Sequence, residues 1–170
     1  MGGQRAAIIA ILVSLIALTG GCFSASGESS SPAEGYFIVT LSVSADSLLD
    51  NLHLLNREKH ELIPADGVIF QASYVKAWEG DSVFDLLHRE MRQSGIHMAF
   101  RNTPLLDSSY VEAINNIYEF DAGDLSGWMF QVNGIFPGLG ASQHLLNPGD
   151  SIEWIYTLDL GRDIVGYEPW

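Results

Sequence analysis

Two stretches of this chain alternate bulky apolar side chains with smaller or polar ones so regularly that each must be an extended strand with one buried face. Trp128, Phe130 and Val132 recur at every second position of residues 127–134, and Ile152, Trp154 and Tyr156 do the same in residues 151–157. A period of two places each set on one side of a pleated strand, so the two stretches are predicted to pair and share a core. Asn133-Gly134 supplies the positive φ angles of a tight reversal, and Asn147-Pro148-Gly149-Asp150 is a second turn signal directly before the second strand. Residues 135–143 between them are rich in glycine yet carry Phe136 and Leu139. An ordinary connector would be more polar, so these two side chains either tuck back onto the core or are held out for a ligand.

Upstream, residues 36–44 read as a strand with Phe37, Val39, Leu41 and Val43 on one face. Residues 45–52 have leucines spaced for a helical turn, residues 56–61 read as a solvated loop, and Pro64-Ala65-Asp66-Gly67 turns into a second strand over 68–77. The best helix follows: Ser82 is placed to cap it, Val83, Phe84, Leu87 and Met91 form its apolar stripe, and Gly95 stands where a C-terminal cap belongs. Asp85 and Arg89, four apart, are expected to form an exposed pair. A strand over 96–102 and a strand-rich stretch over 110–120, turning at Asn115-Asn116, complete the order. One helix across several strands predicts an α+β fold, a β-grasp-like mixed sheet with one main helix.

The N-terminal segment is of another kind. Arg5 precedes a nearly unbroken apolar run from Ala6 to Leu18, and Thr19-Gly20-Gly21 lead into Cys22. This predicts a signal peptide over residues 1–21, whose apolar run is too short for a spanning helix, which needs about twenty apolar residues. Cys22, the single cysteine, stands as in a bacterial lipobox and is the expected lipidation site; residues 22–35, rich in Ser, Gly, Pro and Ala, are the expected flexible tether. The domain proper is residues 36–170. The predicted location is the outer face of a bacterial cell membrane, held by the lipid alone.

After Cys22 the chain carries seven basic and 21 acidic residues, a formal charge of −14. No basic stripe is present for nucleic acid, and anionic headgroups would repel such a chain. Nucleotide-binding loops, a nucleophile elbow, a His-Glu-x-x-His motif and paired-cysteine sites are all missing from the sequence, so no enzyme is expected. His53, His60, His88, His97 and His144 lack metal-ligand spacing, and Glu119, Asp121 and Asp124 read as a solvated acidic turn rather than a calcium loop.

Three motifs in order carry a resemblance: residues 78–87 (WEGDSVFDLL), 126–134 (SGWMFQVNG) and 149–154 (GDSIEW). Together they are similar to the bacterial relatives of the transcobalamin C-terminal domain, the domain of unknown function 4430, and the likeness extends from about Phe37 to Gly166. It implies a β-grasp domain of the soluble-ligand-binding type, which in transcobalamins and intrinsic factor closes over one side of a cobalamin while a helical barrel holds the other. Such a site would be lined by the strand through Gln131 and Asn133 and by the loop through Phe136, Gly138, Leu139, Ser142 and Gln143. Glycines would let the backbone approach a large flat ligand, the apolar pair would supply contact, and Ser142 and Gln143 would bond amide groups of a corrin. Where relatives often carry cysteines, this chain has Ala45, Ala122 and Ala141, so their cross-link is absent and a more mobile loop is implied.

The resulting expectation is a non-enzymatic surface lipoprotein that captures cobalamin or another corrinoid and delivers it to a membrane transporter, with a helical-barrel partner chain supplying the other half of the site. The alternative expectation is an adhesion or protein-interaction module without a small ligand.

Overall fold

The computed structural model describes residues 35–103 and 108–165; the expected signal peptide, Cys22, nearly all of the tether, and Tyr167 and Trp170 lie outside them. Strands β1 (Tyr36–Ser44), β2 (Val68–Trp78), β3 (Met98–Thr103), β4 (Ser108–Ile114), β5 (Ile117–Tyr118), β6 (Gly127–Val132) and β7 (Ser151–Thr157) surround one α-helix, α1 (Val83–Ser94). They form two sheets, one of four strands in the order β2-β1-β7-β6 and one of three in the order β3-β4-β5. The larger sheet is mixed, since β1 runs parallel to β7 while its other pairings are antiparallel. The α+β expectation of a mixed sheet with one main helix is met.

Alternation dictates the layers. Val39, Leu41 and Val43 of β1 and Ile152, Trp154 and Tyr156 of β7 are buried on one face of the large sheet. Trp128 and Val132 join them from β6, in register with Tyr156 and Ile152. Val83, Phe84, Leu86, Leu87 and Met91 of α1 complete the same cluster. The opposite face of this sheet is polar, with Thr40, Ser42, Gln71, Ser151 and Glu153 around one shallow depression. Tyr156 is fully buried, and its hydroxyl stays satisfied by donating to Tyr118 O at 2.8 Å with Ser126 Oγ at 3.0 Å.

The helix ends as its sequence directs. Ser82 and Asp85 form a reciprocal capping box, and Gly95 closes the other end at φ 68°. This corrects the expected Asp85–Arg89 pair: Asp85 is spent on the cap, and Arg89 bridges Asp81 at 2.9 Å instead. Residues 56–61 are also not a plain loop. Asn56 accepts from Glu58 N and starts a 3-10 helix, Arg57–Leu62, because a short Asn side chain at the right φ and ψ supplies the missing acceptor. In place of one turn over 45–52, two short 3-10 helices, Asp46–Leu48 and Leu52–Leu54, follow β1. Gly67 is obligatory beside them, because a Cβ there would lie 2.6 Å from Asp46 Cα and φ is +74°.

Asn115 and Asn116, at φ 53° and 59°, make the predicted hairpin between β4 and β5. Ala45, Ala122 and Ala141 are all buried in the core. After β7 the chain folds back over Thr157, whose hydroxyl accepts from Gly161 N at 2.7 Å and also bonds Asp163. Among the described residues, no helix is long and apolar enough to cross a membrane.

Candidate functional site

The site forms where two strand edges face each other without pairing. β6 is the last strand of the large sheet, so one of its edges has no neighbour. Asn133 N bonds Ser151 O at 2.8 Å, and alternation along an antiparallel pair then turns the backbone groups of Gln131 and Met129 toward β7 and those of Phe130 and Trp128 outward. Opposite lies β4, which pairs with β5 only through Ala113 and Ile114, leaving Ser108 to Val111 with an open edge on that side. Ser109 N points outward there and donates to Ser142 Oγ at 2.9 Å.

The glycine loop bridges these two edges. Its back half is fixed by the start of α1: Phe84 N donates to Ala141 O at 3.1 Å and Val83 N to His144 O at 3.0 Å. The first N–H groups of any helix lack partners within it, so the loop carbonyls satisfy donors that would otherwise be orphaned. Leu146 N adds a bond to Asp81 O at 2.9 Å. This half of the loop is therefore tied to the helix terminus by backbone hydrogen bonds. At Gly140 the loop presses on β4, where an added Cβ would sit 2.2 Å from Ser108 Oγ and 3.1 Å from its Cβ. Gln143 Oε1 accepts from Gly140 N at 3.2 Å and holds the bend.

The front half of the loop, Pro137 to Ala141, closes one side of an open cleft of about 260 Å³ between β4 and β6. Its walls are chiefly apolar, from Tyr110, Trp128, Phe130, Leu139 and Trp154. Ser108 and Ser109 stand on its rim and are shared with a second, polar depression that also takes in Asn102, Thr103 and Ser142. Leu139 is 55% exposed, an apolar side chain held in solvent beside the cleft. Trp154 is buried, and its indole Nε1 has no hydrogen-bond partner among the described residues. Buried donors are nearly always paired, so this one calls for an acceptor.

One wall carries a charged brace. The Tyr110 hydroxyl donates to Glu119 Oε2 at 2.6 Å, the Arg101 guanidinium lies 4.6 Å over the ring, and Arg101 bridges Glu112 at 2.6 Å and Glu119 at 3.3 Å. Burial, followed by the Glu119 carboxylate, pushes the Tyr110 hydroxyl up to about 12, so it remains a neutral donor at physiological pH.

The residues singled out from sequence divide into three groups. Gly138 and Leu139 line the cleft. Ser142 and Gln143 stand beside it and hold β4 and the loop in place. Phe136 is 7% exposed and tucks inward, resolving its open alternative toward packing. Gln131 bonds Glu153 Oε2 at 2.8 Å on the far, polar face of the sheet. Asn133, at φ 54°, bonds Asp150 Oδ1 at 2.8 Å and accepts from Ser151 N at 2.9 Å, the work of a turn residue. Sequence reasoning missed Ser108, Ser109 and Tyr110, which only the facing of β4 and β6, a long-range event, reveals; Trp154 is core, as read from the sequence, and also lines the cleft.

Elsewhere, His88 stacks against Phe84 and meets Phe100 edge-on, and Asp121 pairs with Lys59 while accepting from Tyr118 N at 2.6 Å. Among the described residues no group of three or more His, Cys, Asp or Glu is gathered as a metal site.

An α+β domain with a cleft at the free edge of its main sheet is the class of protein this geometry defines. Residues 80–157 are a match to the family described as Domain of unknown function (DUF4430), and that segment runs from the turn before α1 to the end of β7. Among solved structures, haptocorrin in complex with Cbi shares the fold with a TM-score of 0.53 at 13% identity, over 73% of this chain and 25% of that one. The chain thus spans about a quarter of the haptocorrin chain's length, and the likeness supports the transcobalamin C-terminal-like resemblance at the level of fold. A protein from Ruminococcus gnavus ATCC 29149 proposed to bind metal aligns over 71% of this chain and 96% of its own, at 11% identity and a TM-score of 0.42. No protein of curated function matches the sequence.

Proposed function

We propose that this protein is a non-enzymatic, lipid-anchored receptor that binds a soluble corrinoid, cobalamin or a close relative, at the cleft between β4 and β6. The observation that carries this reading is the cleft itself, an apolar slot of about 260 Å³ with Leu139 held exposed beside it and hydroxyls on its rim. It is too small to enclose a drug-sized ligand, which fills roughly 300–1,000 Å³. A large flat ligand would have one edge in the slot and the rest outside, as suits a domain that covers one side of a corrin. Ring amide carbonyls are acceptors that the Ser108 hydroxyl on the rim can bond, since among the described residues it only accepts from Ser142 Oγ at 3.4 Å. A separate helical-barrel chain would cover the exposed side, and a membrane transporter would take the ligand onward. Anchoring through Cys22 would keep the site at the cell surface.

Calorimetric titration with cobalamin and cobinamide, on the intact protein and on Leu139→Ala, tests this. Micromolar or tighter binding, weakened about tenfold by the substitution, is expected. Absence of heat from a protein whose fold is verified would defeat the reading for a lone chain. A second reading, capture of an extended peptide, is favoured by one observation only: the outward backbone groups of Trp128 and Phe130 form an edge to which a strand could add. Binding of peptides but not corrinoids would select it.

A further inference from the structure

The sheet face that α1 leaves uncovered changes character along its length, and the change occurs where the chain arrives from Cys22. Over β7 and the middle of β1 it is hydroxyl-rich. At the start of β1 and the end of β2 it is aromatic. Tyr36 and Ile38 on β1, and Tyr74, Lys76 and Trp78 on β2, all point away from the core, because the alternating residues Val39, Val75 and Ala77 are the buried ones. Tyr36 pairs in register with Trp78 and Ile38 with Lys76, so these side chains form one contiguous patch. Tyr36, Ile38 and Trp78 are 43%, 37% and 37% exposed, and Tyr74 is 87% exposed.

Cations accompany the aromatics. Lys76 Nζ lies 4.2 Å over the Tyr36 ring, and the Arg89 guanidinium lies 4.6 Å over Trp78. The nearby Asp81 carboxylate is neutralised by Arg89 at 2.9 Å, and Glu79 is the one exposed acid directly beside Trp78. Tyrosine, tryptophan and lysine with an adjoining aliphatic residue are the side chains that settle at the boundary between headgroups and acyl chains: ring and stem enter the apolar side while hydroxyl, indole N–H and ammonium stay wet. An exposed patch of this kind on an otherwise strongly acidic protein marks a contact surface.

Its position names the occupant. Tyr36 opens β1, and only residues 23–35 separate it from Cys22. Thirteen residues at roughly 3.4 Å each cannot span more than on the order of 45 Å even when fully extended. If Cys22 carries a lipid, this corner is the part of the domain tethered nearest to the bilayer. We infer that the Tyr36–Ile38–Tyr74–Trp78 corner docks on the lipid surface that holds the chain's own anchor, laying the domain on the membrane by its aromatic end. The inference rests on the anchoring reading proposed above.

The test uses the full lipidated chain in phosphatidylcholine vesicles whose acyl chains are brominated. With Cys22 consumed by its lipid, Tyr74→Cys and Gln93→Cys each introduce one thiol for an environment-sensitive fluorophore, the second on the exposed side of α1. Quenching several-fold stronger at position 74 than at 93, and lost when Tyr36→Ser and Ile38→Asp are added, is the expected result. Equal quenching at both positions in a chain that floats with the vesicles would overturn docking while leaving the anchor intact. A chain that fails to float would remove the anchor and the docking together. Shielding of the 74 label without vesicles, growing with protein concentration in a Cys22→Ala chain, would assign the patch to a second copy and overturn the inference as well.

Discussion

The two outer strands of the four-stranded sheet are finished in opposite ways. β2, at one edge, has 11 residues, slips register against β1 between Val39 and Leu41, and carries Lys76 on its open face with Arg89 bonding the Lys76 carbonyl at 2.7 Å. Bulges and charges of this kind stop a long edge from pairing with another chain. β6, at the other edge, has six residues and neither device. A glycine loop pinned to the helix N-terminus stands over it, and the result is a cleft instead of a closed edge. A sheet edge thus becomes one wall of a cleft when a loop guards it from strand pairing without filling the space beside it.

The largest expected effect comes from removing what holds β6 in the core. Trp128 donates from Nε1 to Ile117 O at 2.8 Å and meets the Tyr156 ring edge-on at 5.2 Å. Trp128→Ala should cost about 3–5 kcal/mol in denaturant unfolding, as for other buried aromatics, and abolish ligand binding; the equally placed but solvent-exposed Tyr74→Ser on β2 should stay within about 0.5 kcal/mol. Comparable losses at both positions would erase the contrast between the edges.

Gly140→Val tests the loop rather than the strand. Its side chain collides with Ser108, so the loop should lift from β4, lowering corrinoid affinity by more than tenfold while stability falls by about 1–3 kcal/mol, the usual cost of overpacking. Isothermal titration and thermal melting of the same variant separate the two effects. Ser82→Ala acts on the loop from behind, because the capping box fixes the helix start to which Ala141 and His144 are bonded. A loss of about 1 kcal/mol is expected, with a smaller drop in affinity than for Gly140→Val.

The smallest expected effect is alkaline. The Tyr110 hydroxyl is raised to about 12 from an ordinary 10.0, first by burial and then by Glu119. Its folded value lies above its unfolded one, so its contribution is complete below pH 10 and is lost as pH climbs toward 12. The ring is 39% exposed and solvent screens the effect, so the step should be modest. Tyr110→Phe should remove it from a pH series of unfolding midpoints; an unchanged series would detach Tyr110 from the alkaline limb.

Much of the scaffold was legible in the sequence for a physical reason. Strand alternation in β6 and β7, the Ser82 and Gly95 caps and the Asn115-Asn116 turn are local signals, each written within a few residues. The site was legible only in part. Gly138 and Leu139 stood out because apolar bulk in a glycine-rich loop is locally odd, but Phe136 shares that oddity and packs inward. Gln131 and Asn133 belong to the strand that walls the cleft but do not line it: parity places Gln131 on the polar face, and Asn133 is taken by its turn. Ser108, Ser109 and Tyr110 come from a strand that pairs with β3 on one edge but leaves its other edge open toward β6 along its first residues, which no local pattern records.

The most direct test of the central claim is a backbone amide NMR titration of the isotopically labelled protein with cobinamide. The account predicts shift changes at Ser109, Val111, Trp128, Phe130 and Leu139, a marked change at the Trp154 indole N–H, and none at Ser42, Gln71 or Tyr74. Perturbation confined to the polar face of the sheet, or no perturbation at millimolar cobinamide, would contradict it.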